Sequence, residues 1–168
     1  MLWVNINPES VGQEPCAPDI LNMVIKRLQA GEEEKAIRAI SSLKLKDENI
    51  PTDFSYITNL LSNDSNYLIV ALDKDTPAGF LIAYELQRID CGQSMMLFYE
   101  IEVAPEYQKQ GIGKKLIDKL KEYCRERKIL KMWVLTSESN IAAQNLYKST
   151  GAVQSKEPEI LFEYLPEF

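Results

Sequence analysis

A chain of 168 residues with 45% hydrophobic and 26% charged side chains suits one globular domain and needs no disulfide staples to hold a core. No apolar run approaches the roughly 20 residues of a membrane span, so no membrane partner is expected. Nineteen Lys and Arg against 25 Asp and Glu leave a formal charge of −6, which argues against a nucleic-acid partner and favours a cationic ligand.

Residues 1–22 hold three of the eight prolines and neither Lys nor Arg, and read as an extended arm. Nothing there reads as a secretory signal, and Met23 offers an alternative start position. The domain proper is expected over 23–168. Met23 opens a first strand, with Val24 and Leu28 inward. Residues 32–45 predict a helix with Ala36, Ile37, Ile40 and Leu43 on one face and glutamates in the first turn. Ile50-Pro51 breaks it. Thr52-Asp53 caps a second helix to Leu61, striped by Phe54, Ile57, Leu60 and Leu61; helix capping is the preferred role for Asp53.

A hairpin of strands at 67–72 and 78–86 follows, then a third strand at 95–103. Residues 111–127 keep a helical period through Ile112, Leu116, Ile117, Leu120, Tyr123 and Cys124. The apolar run 130–136 predicts a central strand with Trp133 as packing. Ser139 or Asn140 caps a short helix that Gly151 ends. Two last strands are expected near 152–156 and 160–165. The order β-α-α-β-β-β-α-β-α-β-β is a mixed α/β domain.

The chain contains no histidine. That removes histidine-based triads and imidazole metal sites, so acid–base chemistry falls to carboxylates, Tyr, Lys, Cys or water. Cys16, Cys91 and Cys124 form no C-x-x-C pair and are expected as reduced thiols in a cytoplasmic protein. No metal site is expected. The informative stretch runs from Tyr99 to Lys114: a strand, a polar loop, then Gly111-Ile112-Gly113 entering a helix. Free amides at such a helix start make an anion site, with Gly111 allowing close approach and Gly113 allowing close helix packing. A lone G-x-G is also what a plain strand–helix connection uses. Glu100 and Glu102 share a face if their strand is regular, where two like charges raise a carboxyl pKa and attract a cation. Two solvated glutamates are the alternative, and a bulge would change which side chain faces a cleft.

Val103-x-Pro105 followed by Gln108-x-x-Gly111-x-Gly113 resembles the acetyl-CoA signature of the Gcn5-related N-acetyltransferases, the GNAT family. A second segment, Asn140-Ile141-Ala142-Ala143-Gln144-Asn145-Leu146-Tyr147, with Gly151 beyond, resembles the family's N-x-x-A-x-x-x-Y-x-x-x-G-F segment, with Ala152 in place of Phe. The resemblance implies a mostly antiparallel sheet of six to seven strands with four helices, split between the fourth and fifth strands, and acetyl-CoA in the split. It implies backbone pairing of pantetheine near Ile101, Glu102 and Val103. It also implies pyrophosphate on the amides of Gln108, Lys109, Gln110, Gly111, Ile112, Gly113 and Lys114. Contacts from Asn140, Ala143 and Tyr147 complete the cofactor set. Tyr147 takes the family's general-acid role, and Glu100 is the candidate base. The alternatives are a core tyrosine, an N-cap asparagine and surface lysines at 109 and 114.

Within the family the chain is most similar to the aminoglycoside 3-N-acetyltransferases. That similarity rests on Phe98 to Val103, the Gln108 loop, the Leu146-Tyr147 helix and the tail from Ile160 to Tyr164; the subgroup carries Asp where Glu100 stands. A small cationic amine is the implied partner, with Glu100, Glu102 and Glu163 as candidate ligands, and a homodimer is open. Acetylation of polyamines or peptides, or a non-catalytic acyl-CoA-binding module, are the alternatives.

Overall fold

The computed structural model describes residues 23–43, 53–156 and 162. In chain order these form β1 (Val24–Arg27), α1 (Glu33–Leu43), α2 (Phe54–Ser62), β2 (Asn66–Asp73), β3 (Thr76–Gln87), β4 (Ser94–Val103), α3 (Ile112–Glu126), β5 (Met132–Val134) and α4 (Ile141–Ser149). A 3-10 turn at Pro105–Tyr107 joins β4 to the loop before α3. The sheet order is β1-β2-β3-β4-β5, antiparallel as far as β4 and parallel between β4 and β5. The mixed, mostly antiparallel α/β fold with four helices is therefore as expected. No helix among the described residues is long and apolar enough to cross a membrane.

The sheet is covered on both faces, which explains the almost unbroken apolar run of β2 in an antiparallel setting. Tyr67, Ile69 and Ala71 point to one face and pack with Leu81, Ala83, Met96 and Phe98 under Ile112, Leu116, Ile117 and Leu120 of α3. Leu68, Val70 and Leu72 point to the other and pack with Leu28 and Phe80 under Ala36 and Ala39 of α1 and Ile57 and Leu61 of α2. Asp53 caps α2, its Oδ1 accepting from the Ser55 amide at 3.0 Å.

β4 carries the irregularity that shapes everything downstream. Ala83 pairs with Phe98 and Ile82 pairs with Glu100, so Tyr99 is an extra residue, a β-bulge. Phe98 and Ile101 both pack on the α3 side. Two residues, Tyr99 and Glu100, therefore lie between them on the α1/α2 side where a regular strand would place one. The pairing of β4 with β5 covers Met96 to Phe98 against Met132 to Val134, and Phe98 with Val134 is the last pair. Beyond it the two strands part, the split expected between the fourth and fifth strands.

Several expectations need correction. β5 spans three residues instead of 130–136, and Leu130 and Leu135 are exposed. It is the last strand of the described sheet, and it is short because its pairing with β4 stops where β4 bulges away. No strand forms over 152–156, and five strands stand among the described residues. Val24 is exposed although Leu28 on the same face is buried, since β1 is an edge strand that the helices cover only at its end. Phe54 sits in the first turn of α2 and is also exposed. The expected arm at 1–22, the strand at 160–165 and Glu163 lie outside the described residues.

Candidate active site

The loop after the 3-10 turn is built to present amides. Lys109 and Gly111 both adopt left-handed backbone, φ +59° and +81°. Gly111 is the N-cap of α3, and nothing lies within 4 Å of where its Cβ would be. The glycine is therefore required by its conformation, and the space in front of it is open. The first-turn amides of α3 have no partner within the helix and carry its positive dipole end. Two side chains hold the loop in shape: Gln108 Nε2 donates to the Val103 carbonyl at 3.0 Å, and Gln110 Nε2 to that of Glu106 at 2.8 Å. A third support comes from Tyr107, buried at the end of the turn, whose hydroxyl donates to Asp73 Oδ2 at 3.0 Å and ties the loop to the β2–β3 turn. Lys109 and Lys114 are exposed on either side of the glycines.

Gly113 is buried for a different reason. A Cβ there would stand 3.0 Å from Cδ2 of Leu146 and 3.8 Å from Cδ1 of Ile101. It is the point where the start of α3 meets both α4 and β4. The G-x-G pair thus divides its work: one glycine for backbone conformation, the next but one for close packing.

On β4, Glu100 and Glu102 point to the same side, together with the extra Tyr99. Glu100 is half-buried, with its Oε2 shielded from solvent, while Glu102 is exposed. Ile101 and Val103 turn to the α3 core. On the far side of the split, Asn140 caps α4 by accepting from the Ala143 amide at 3.1 Å. Tyr147, two turns along that helix, meets Phe98 edge to face with centroids 5.5 Å apart. It therefore stands at the last β4–β5 pair. Burial, and then the negative charge of Glu102, push its phenol above the ordinary tyrosine range. The group stays protonated at neutral pH, as a proton donor must.

The structure thus places Tyr147 at the parting of the two strands under the charge of Glu102, with its neighbour Leu146 against Gly113 of the amide-bearing loop, while Glu100 lies on β4 two residues past the last pair and Asn140 at the start of α4. Glu163 lies outside the described residues. Cys124 is half-buried against Met132, and burial pushes its thiol up to about 11, which leaves it inert. Residues not anticipated from the sequence also border this region. Tyr84 of β3 meets Tyr99 edge to face at 5.8 Å, and Tyr56 of α2 stands on the same face. The Tyr107–Asp73 link is another. Their pairing depends on register and on the bulge, and the β-favouring character of Tyr84 and Tyr99 is the one signal they gave in sequence. Among the described residues no group of three or more His, Cys, Asp or Glu could hold a metal ion.

A ribosomal protein bS18 alanine N-acetyltransferase from Escherichia coli is 30% identical over 76 residues, 45% of this chain and 50% of the relative. The chain thus spans about half the length of the curated relatives it matches. An aminoglycoside acetyltransferase from an uncultured soil metagenomic sample, solved in complex with trehalose, superposes with a TM-score of 0.78 at 25% identity, covering 87% of this chain and 98% of that one. A ribosomal-protein-alanine N-acetyltransferase from Brucella melitensis biovar Abortus 2308 superposes with a TM-score of 0.65 at 20% identity, covering 84% and 99%, and shares the fold. The model of the acetyltransferase (GNAT) family matches residues 33–152, and the chain belongs to that family.

Proposed function

We propose that the protein is an acetyl-CoA-dependent N-acetyltransferase acting on a primary amine of a small cationic molecule, with the 3-amine of an aminoglycoside as the leading acceptor. The observation that carries this reading is the place of Tyr147: a protonated phenol, raised further by burial and by Glu102, at the point where β4 and β5 part. The residues present fit an elongated anionic co-substrate. Open space in front of Gly111, amides converging at the start of α3 and a parted strand pair are what such a ligand needs.

Acetyl-CoA, when bound, supplies a thioester carbonyl carbon for the amine nitrogen to attack. Gln108 to Lys114 hold its phosphates through backbone amides, with charge from Lys109 and Lys114. Backbone at Ile101, Glu102 and Val103 and the side of α4 bearing Asn140 and Ala143 hold its arm. Glu100, half-buried on the acceptor side, takes the proton the amine must lose, directly or through water. Tyr147 holds at Oη the proton that the departing sulfur needs. Glu102 adds negative charge for a cationic acceptor.

CoA-thiol release from acetyl-CoA, measured against aminoglycosides, polyamines and peptides, tests this. Turnover on aminoglycosides with the acetyl group mapped to the 3-amine is the expected result. Turnover confined to peptides would replace the acceptor with a chain N-terminus, a second reading that the 30% identity to a ribosomal-protein alanine acetyltransferase supports. Saturable acetyl-CoA binding without turnover on any amine would overturn the enzymatic reading.

A further inference from the structure

Three tyrosines on the α1/α2 side of the sheet have no part in the acetyl-transfer chemistry, and together they form a surface. Tyr84 and Tyr99 stand edge to face, 5.8 Å apart with an interplanar angle of 69°. The ring that presents its edge keeps both π faces uncovered by its partner. Tyr99 is 60% exposed and Tyr56 64% exposed. Tyr56 and Tyr84 line a groove of about 260 Å³ with Asn59, Leu60 and Asn66.

The charges around this groove select its occupant. Glu100 follows Tyr99 in the chain and lies on the same side, and Glu102 is exposed two residues further on. The Glu100 carboxylate, on the same face and in register two residues along β3 from Tyr84, repels an anion and makes the site poor for an acyl chain. Aromatic faces and carboxylates both attract a cation. Asn59 and Asn66 add neutral polar edges, although Asn66 Nδ2 already donates to the Leu60 carbonyl at 3.1 Å.

We propose that the Tyr56–Tyr84 groove, with Tyr99 standing against Tyr84 beside it, is a cation–π subsite that seats a second, non-reacting ammonium of the acceptor while the reacting amine lies at Glu100. The proposal rests on the acetyltransferase reading for the role of Glu100. Glu100 pairs with Ile82, and Tyr84 is two residues along β3 on the same face. The two positions are therefore about 7 Å apart along the strand. An acceptor with two cationic nitrogens at about that separation fills both, and a monoamine fills one.

Two measurements test it. In the first, tetramethylammonium chloride is titrated into the protein while tyrosine ring resonances are followed, with sodium chloride as the control. Saturable shifts of the Tyr56, Tyr84 and Tyr99 rings are expected. Affinity should fall about fivefold in Tyr84→Leu or Tyr99→Leu and hold in the matching Phe variants. Tyr56→Leu, at an exposed helix position, gives the same reading if a strand variant does not fold. In the second, α,ω-diaminoalkanes are compared with matched monoamines in the CoA-release assay; a preference for diamines that falls about fivefold in the Leu variants is expected. Equal shifts with sodium chloride, equal affinity in the Leu variants, or an equal loss in the Phe variants would each overturn the subsite. Saturable tetramethylammonium binding without turnover on any amine would support the subsite and sink only the acetyltransferase reading.

Discussion

The Tyr147 phenol is raised above its ordinary value for two physically different reasons, the low-dielectric packing around its ring and the carboxylate of Glu102. The second can be removed alone. A phenol whose pKa is raised by a neighbouring negative charge moves back down when that charge is neutralised. Glu102→Gln is therefore expected to shift the alkaline limb of the kcat–pH profile to lower pH. Tyr147→Phe is expected to abolish that limb and lower kcat by about 100-fold, within the range for general acid–base groups. An alkaline limb identical in all three proteins would assign it to another group. Tyr147 and Asn140 were legible in sequence because a helix fixes their spacing locally. Tyr99 and Tyr84 were not, since fifteen residues separate them and only a one-residue bulge turns Tyr99 to the side where Tyr84 stands.

Helix α3 shows how one element joins the glycine-bearing loop to the core. Its apolar stripe was readable from a 3.6-residue period: Ile112, Leu116, Ile117 and Leu120 are buried, and Tyr123 and Cys124 are half-buried at its far end. Its first turn was readable as an anion site only in outline, because the division of work between Gly111 and Gly113 depends on φ and on Leu146. Gly111→Ala is expected to cost about 1–2 kcal/mol through left-handed backbone. Gly113→Ala needs a shift of only the Leu146 methyl, whereas Gly113→Val should lose about 1–3 kcal/mol by overpacking against α4. Urea denaturation separates these cases; equal stability of Gly113→Val and the wild type would show that α4 moves freely. The short β5 was misread for a related reason. Apolar character continues from Leu130 to Leu135, but pairing needs a straight partner strand, and β4 stops being one at Tyr99.

At the scale of the molecule, the C-terminal end of α3 is locked to the sheet as firmly as its start is left open. Glu85 is buried and accepts hydrogen bonds from the Tyr67 hydroxyl at 3.1 Å and from Arg127 Nε at 3.0 Å. Burial alone would raise its pKa, but the bonds from Arg127, Ser94 and Tyr67 outweigh it and hold the carboxyl below its usual range. The folded state therefore binds this proton less readily than the unfolded chain. Its stabilisation is complete well above the ordinary glutamate pKa of about 4.3 and is lost as pH falls through the lower folded value. Glu85→Ala, which strands the buried Tyr67 hydroxyl, is expected to lose about 2 kcal/mol at pH 7. Below pH 4 the gap to the wild type should narrow; a constant gap across that range would show that packing, not charge, is what Glu85 supplies.

The parting of β4 from β5 has a consequence for how the chain breathes. Three residue pairs join β5 to the rest of the described sheet, so Met132 to Val134 form a short seam between the block bearing Glu100 and the segment bearing Asn140 and Tyr147. Short seams open at low free-energy cost, and their amides exchange with solvent sooner than those of β2 and β3. A ligand lying between the parted strands touches both sides and acts as a strut. Acetyl-CoA at a hundred times its Kd would add about 2.7 kcal/mol to the folded state. That gain should appear first as slowed deuterium uptake at Met132 to Val134, with the β2–β3 hairpin already slow before the ligand is added.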